Sequence, residues 1–139
     1  DGTIKETIRQ IEDAKKEYPE LFSLALIENK PKIGVKGEMC LGAAPEEIKE
    51  VLSATGLGFC LDFGHAICYS VWKKTPYEPV IDAFLKFDPR MFHLSDSDMN
   101  STKDAHLNFG QGNFELAKLI RKIPTGSYVS LLQECAGCG

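Results

Sequence analysis

Apolar residues recur at helical spacing in some segments of this chain and run almost without interruption in others, and the two kinds of segment alternate. Ile4, Ile8, Ile11 and Ala14 lie three or four positions apart, which predicts an amphipathic helix running to about Tyr18. Thr3 with Glu6 forms a capping box ahead of it, and Pro19 stops it. Residues 22–28 form a nearly continuous apolar run closed by Glu28 and read as a buried strand. A polar loop over 29–44 leads to Pro45, Glu46 and Glu47, a helix start in which proline suits the first turn and the carboxylates complement the helix dipole. Ile48, Val51 and Leu52 give that helix its apolar face, and Gly56 ends it.

The alternation then repeats. Residues 57–62 read as a second strand, and Thr75, Pro76 and Glu78 open a helix whose buried stripe is Val80, Ile81, Phe84 and Leu85. Residues 91–94 form a short third strand after Pro89. A long polar loop over 95–112 follows, and Asn113 caps a helix carrying Phe114, Ala117, Leu119 and Ile120. Pro124 and Gly126 break that helix, and residues 128–133 form a fourth strand. Four helices alternating with four strands predict an α/β fold with a parallel sheet and helices packed on it. The 139 residues form a single domain, 1–139, and their hydrophobic content of 43% is enough for a packed core. A complete (β/α)8 TIM barrel takes about 250 residues, so four units are half of one. Asp1 in place of a methionine, and a stop directly after the fourth strand, predict a piece of a longer protein with exposed strand edges prone to self-association.

Charge narrows the partners. A net charge of −4 gives no broad basic surface for nucleic acid. No apolar stretch approaches the roughly 20 residues needed to cross a bilayer, so no membrane partner is expected. An odd set of five cysteines (Cys40, Cys60, Cys68, Cys135, Cys138) without a signal-peptide pattern points to reduced thiols and a cytoplasmic location. The single C-x-x-C at Cys135 and Cys138 reads as structural or incidental.

The candidate chemistry sits at the ends of the predicted strands. All three histidines lie near a carboxylate, in Asp62-Phe63-Gly64-His65, His93-Leu94-Ser95-Asp96 and Asp104-Ala105-His106. Glu28 and Glu134 close or follow two further apolar runs. Imidazoles and carboxylates at the carboxyl ends of parallel strands suit a mixed N/O divalent-metal site at one mouth. Each has a plainer reading as well. Glu28 can be a strand-end charge in solvent, Asp62 a cap, His65 and His93 satisfied core histidines, and Asp104 the start of an Asx-turn. Asn29 either orients Glu28 or begins the loop. Asp96 and Asp98 read as turn formers, and Lys30, Lys32 and Lys36 as a solvated loop.

The string from Leu61 to Ala66, with His93-Leu94-Ser95-Asp96, Asp104-Ala105-His106 and Gly110-Gln111-Gly112-Asn113, resembles the xylose isomerase-like TIM-barrel superfamily. That superfamily holds sugar (phosphate) isomerases and epimerases and the endonuclease IV class of apurinic-site nucleases. The resemblance covers roughly residues 20–134 and corresponds to strands five to eight of the barrel. In the epimerase branch it implies a divalent ion (Mn, Zn, Mg or Co) held by Glu28, Asp62, His93 and Glu134. Glu28 and Glu134 would move a proton beside a ketose carbonyl of a sugar or sugar phosphate, and His65 would hold a substrate hydroxyl. In the nuclease branch it implies a zinc cluster that also uses His65, Asp104 and His106, with abasic DNA as substrate. Departures favour the sugar enzymes. Lys30-Pro31-Lys32 follows Asn29 where the nucleases carry an Asn-Thr-Ala-Gly-like run, and Ser101-Thr102-Lys103 stands where they are arginine-rich. A third class remains open, an inactive barrel fragment or sugar-binding module.

Overall fold

The computed structural model describes residues 2–132. Its elements are α1 (Ile4–Glu17), α2 (Pro19–Phe22), β1 (Leu26–Glu28), α3 (Pro45–Thr55), β2 (Gly58–Asp62), α4 (Phe63–Lys73), α5 (Tyr77–Leu85), β3 (Met91–Leu94), α6 (Leu116–Arg121) and β4 (Tyr128–Leu131). The strands form one parallel sheet in the order β1-β2-β3-β4. The described residues therefore form an α/β fold with a four-stranded parallel sheet and six helices, an arrangement compatible with half of a parallel β/α barrel. None of the helices is long and apolar enough to cross a membrane among the described residues.

Several expectations need correction. The first strand is Leu26–Glu28 rather than 22–28. Pro19 does not simply end α1, because its fixed φ suits the first turn of the short helix α2. Leu24 is 83% exposed, so the start of that apolar run is not core. The larger miss is α4, which turns strict alternation into two helices between β2 and β3. Phe63 through Ser70 are all buried, so this helix is apolar on every side and shows no stripe from which its period could be read. β2 enters it without a loop, Asp62 being both the last residue of the strand and the N-cap of the helix.

Capping differs in detail. Thr3 Oγ1 accepts the Glu6 N–H at 3.1 Å, but the Glu6 carboxylate turns to Arg9 and Gln10 instead of back to Thr3. Glu47 accepts the N–H groups of Ala43 and Ala44 at 3.0 and 3.1 Å, closing the start of α3. Gly56 ends that helix with φ +69°, a left-handed conformation that glycine takes without strain. Thr75 gives α5 no side-chain cap, its N-cap being Pro76. Asn113 does not cap α6 either. Its Oδ1 accepts the Met99 N–H at 2.7 Å, and α6 starts after Glu115.

Side chains alternate across the strands. Phe59, Leu61, Phe92 and Leu94 join Phe63, Ile67, Ile81 and Phe84 in the core between sheet and helices. The Phe59 ring stacks on Phe84 and Phe63 on Phe92, both at 5.8 Å between centroids. The intervening positions, Glu28, Cys60, Asp62, Met91 and His93, belong to the opposite face. Register places Glu28 beside Cys60 and Asp62 beside His93. Cys40, Cys60 and Cys68 are free thiols, and burial pushes Cys60 and Cys68 up to about 12.

Phe84 is fully buried and touches both Phe59 and Phe87. Phe84→Ala should therefore cost about 3–5 kcal/mol, a large share of the stability of a domain this size, measured as a lower midpoint in urea with an unchanged slope.

Candidate metal centre

Three strand ends supply the first set of side chains. Glu28 ends β1, Asp62 ends β2, and His93 lies in β3 directly beside Asp62. Parallel pairing brings all three to the same rim, and one ligand atom from each lies within 4.8 Å of the others. His93 Nδ1 is 3.4 Å from Glu28 Oε1 and 3.6 Å from Asp62 Oδ2. A second set shares Asp62 and adds His65, Asp104 and His106, again with one ligand atom from each within 4.8 Å of the others. His65 comes from the first turn of α4, while Asp104 and His106 come from the loop between β3 and α6.

The local structure orients these groups. Asp62 Oδ1 accepts the His65 N–H at 2.8 Å, so one oxygen caps α4 while Oδ2 turns to His65 and His93. His65 Nδ1 lies 2.9 Å from the carbonyl of Asn29 and 3.3 Å from Glu28 Oε1. A carbonyl can only accept, so Nδ1 carries the hydrogen and the neutral ring keeps its lone pair on Nε2. That Nε2 lies 3.9 Å from Asp104 Oδ2. An imidazole donating one nitrogen to a carbonyl and offering the other is the usual arrangement of a metal-bound histidine.

Asn29 therefore has a larger role than orienting Glu28. Its fully buried side chain donates to Asp62 O at 3.0 Å and accepts from Asp62 N at 2.8 Å. Gly64 leaves room for the Asp104 carboxylate, because a Cβ at that position would run into Asp104 Oδ2. The string Asp-Phe-Gly-His contained that signal, but only the fold shows what approaches the glycine.

The electrostatics of the cluster suit a cation. The Asp62 and Asp104 side chains are only 2% and 3% exposed, and their ion-pair partners among the described residues are histidines, not lysine or arginine. Asp104 Oδ2 and His106 Nε2 are buried without a hydrogen-bond partner, although they lie 3.4 Å apart. Burial raises the Asp104 pKa above its ordinary 3.8, and the nearby Asp62 charge adds to this against the His106 N–H. Burial also works to raise Glu28, but the hydrogen bond from His65 and the charges of Lys30, His65 and His93 outweigh it and bring Glu28 to about 2. His93 is raised above 6.5 by its bond to Asp62, against burial, with Glu28 adding to the rise. For His65 burial opposes protonation, yet Glu28, Asp62 and the Asn29 carbonyl raise its pKa overall. Buried carboxylates and imidazoles sharing a few ångströms, with orphaned donor atoms, fit a divalent ion chemically. Glu28, Asp62 and His93 would hold one, and Asp62, His65, Asp104 and His106 another.

Of the sequence-predicted residues, Glu28, Asp62, His65, His93, Asp104 and His106 thus come together. Glu134 and the Cys135–Cys138 pair lie outside the described residues. Asp98 is a turn former as expected, its Oδ1 accepting the Asn100 N–H at 2.9 Å. Two lysines of the 29–44 loop depart from the solvated reading: Lys32 is largely buried, donating to Cys40 O at 3.2 Å and lying 3.8 Å from Glu47, and the more exposed Lys30 pairs with Glu28 at 3.3 Å. No family model, no curated protein and no solved structure matches this chain. What its residues define is an α/β chain with a His/carboxylate cluster at the carboxyl rim of a parallel sheet.

Two outcomes follow. The raised histidine pKa values stabilise the metal-free fold below pH 6.5, and that contribution is lost as pH rises through the raised values. The Glu28 contribution is present above 4.5 and is lost as pH falls towards 2. The metal-free protein should therefore melt higher at about pH 5.5 than at about pH 8.5, and added divalent ion should stabilise most at the upper pH, where the histidines are neutral. Scanning calorimetry with and without chelator checks both signs. Asp104→Asn should stabilise the metal-free protein by about 1 kcal/mol, since it removes a buried charge without a cationic side chain. The same change should weaken ion binding by the second set, read by calorimetric titration.

Proposed function

We propose that this chain belongs to a divalent-metal-dependent sugar (phosphate) isomerase or epimerase and forms strands five to eight of a xylose isomerase-like (β/α)8 barrel. The reaction is proton transfer at the carbon beside a ketose carbonyl, through an enediolate. The observation that carries this reading is the meeting of Glu28, Asp62 and His93 at the carboxyl ends of three adjacent parallel strands. Ligand sites of parallel sheets and barrels lie at that end.

The roles join the geometry of the described residues to what the resemblance implies for Glu134, which lies outside them. Glu28, Asp62 and His93 would hold the ion, with Glu134 as the fourth ligand that the resemblance implies. A divalent cation bound there would supply stabilisation of negative charge on neighbouring substrate oxygens. Glu28 is ionised throughout the neutral range and half-buried at the rim, so its carboxylate is in the form that accepts a proton. Glu134 serves the opposite face of the substrate. His65, fixed by Asn29, directs a ring nitrogen towards the Asp104 side of the site, where a substrate hydroxyl or a second ion can take it.

A specific observation favours a second reading, a zinc-dependent phosphodiesterase acting on abasic DNA. Asp104 Oδ2 and His106 Nε2 are buried side by side without hydrogen-bond partners, as residues dedicated to a further cation would be. Lys30-Pro31-Lys32 and the arginine-free stretch before Asp104 weigh against it.

The complete protein decides between them. With manganese or cobalt present, incubation with a panel of ketoses and ketose phosphates in deuterium oxide should place deuterium beside the carbonyl. Glu28→Gln should reduce that exchange by about 10²–10⁴-fold, the usual worth of a positioned acid/base group. Incision of an abasic duplex, a cluster of three zinc ions and no deuterium uptake would establish the phosphodiesterase instead. Absence of bound metal, exchange and incision alike would leave the non-catalytic class.

A further inference from the structure

Asp96 is 1% exposed and faces no cationic side chain among the described residues, yet it is not one of the groups gathered around the candidate ions. Its carboxylate accepts four backbone N–H bonds. Oδ1 takes Ser97 at 2.9 Å and Phe114 at 3.1 Å, and Oδ2 takes Gly110 at 2.9 Å and Gly112 at 3.0 Å. Its main chain forms an antiparallel bridge with Leu107, donating to Leu107 O at 3.1 Å and accepting from Leu107 N at 2.8 Å. Leu107 directly follows His106, and the adjacent Ser97 Oγ accepts the Ala105 N–H at 3.2 Å. Asp96, two residues beyond β3, thus grips the return of the loop into α6 with its carboxylate, while its main chain and Ser97 hold the outward limb that bears Asp104 and His106.

Two further features show how tightly this clamp is built. Gly112 passes so close that a Cβ would collide with the Ser97 carbonyl and come within 2.5 Å of Asp96 Oδ1 and 2.6 Å of Ser97 N. His106 is held at φ +46°, a left-handed conformation that a non-glycine residue keeps only when its surroundings dictate it. The ionised state of Asp96 suits the role. Burial works against it, but the four N–H donors outweigh that effect and lower its pKa.

We propose that Asp96 is the positioning residue for the second ion-binding set: it touches no ion itself, and it holds Asp104 and His106 in place opposite His65. This rests on the reading of Asp62, His65, Asp104 and His106 as ion ligands. An amide at position 96 can satisfy one pair of N–H groups only by turning its own NH2 towards the other pair, so Asp96→Asn sets donors against donors. Gly112→Ala attacks the same clamp from the opposite side, without changing any charge.

The test uses the complete protein, with Co(II) alone as probe, followed by calorimetry and visible absorption, together with amide hydrogen exchange. Asp96→Asn and Gly112→Ala should each weaken binding by the Asp104/His106 set about 10–100-fold, the usual effect of losing an orienting partner. Binding by Glu28, Asp62 and His93 should stay within about twofold. Amides of residues 97–112 should exchange about tenfold faster, while β2 and α4 keep their protection. His106→Ala, which deletes a ligand outright, should abolish the same binding step without speeding exchange across the loop. Unchanged loop exchange and unchanged affinity at both sets in the two clamp variants would overturn the assignment. Equal loss at both sets with general loss of protection would also overturn it, by making Asp96 an ordinary stabiliser of the fold. If the unsubstituted protein binds no ion through Asp104 and His106, the underlying ion reading fails, and loop exchange still reports separately on the clamp.

Discussion

The link between the Asn29 side chain and the backbone of Asp62 holds the site together. β1 ends at Glu28, and Asn29 then pairs through its amide with both the N–H and the C=O of Asp62. A side chain thereby extends the ladder one step beyond the last strand residue, where a backbone bond would have kept the chain running straight. The main chain of residue 29 is freed to turn, and its carbonyl receives the His65 ring nitrogen. One fully buried asparagine thus ties together β1, β2 and the first turn of α4, each of which bears a functional side chain. Removing its side chain would leave two backbone groups of Asp62 to find other partners in a dry environment, where unsatisfied polar groups are costly.

Around that link the molecule keeps negative charge out of water without a lysine or arginine to balance most of it. Glu28 has Lys30 at 3.3 Å, but Asp62 and Asp104 rely on histidines. Structural ion pairs in protein interiors normally present a permanent cation to each carboxylate. A site that leaves carboxylates facing titratable rings has its charge balance set by whatever enters, which is why proton uptake and cation binding compete there. Asp96 shows the contrasting solution, a buried carboxylate neutralised wholly by backbone N–H groups and so unavailable to any cation.

How much of this the sequence disclosed depended on whether a residue's environment was local. β3 was read at its true limits, and β2 to within a residue, because short apolar runs bounded by turn residues carry their own punctuation. Glu28, Asp62 and His93 are legible because strand ends converge in any parallel sheet, and His65, Asp104 and His106 because each stands within a few residues of a carboxylate or imidazole in Asp-Phe-Gly-His and Asp-Ala-His. α4 was hidden because a helix buried on every side has no polar face to give away its period. The start of α6 was misplaced because Asn113, a good cap by type, was taken by Met99 across the loop. Asp96 was recognised as a turn former, but its four donors include three from residues 110–114, and nothing at position 96 announces a partner that far along the chain.

The seamless passage from β2 into α4 carries a further consequence, for the choice of ion. Asp62 Oδ1 accepts an N–H of the first turn of the helix, and Oδ2 turns to His65 and His93. Oδ2 is thereby the oxygen of the shared carboxylate that stands nearest both ligand sets, while Oδ1 divides its lone pairs between the helix cap and the site. Calcium, which draws much of its affinity from chelating carboxylates and high coordination numbers, gains least from such a ligand, whereas smaller ions content with single oxygen and nitrogen donors lose nothing. A helix cap would in this way bear on the choice of any ion held there, and comparing the affinities for calcium and manganese would measure it.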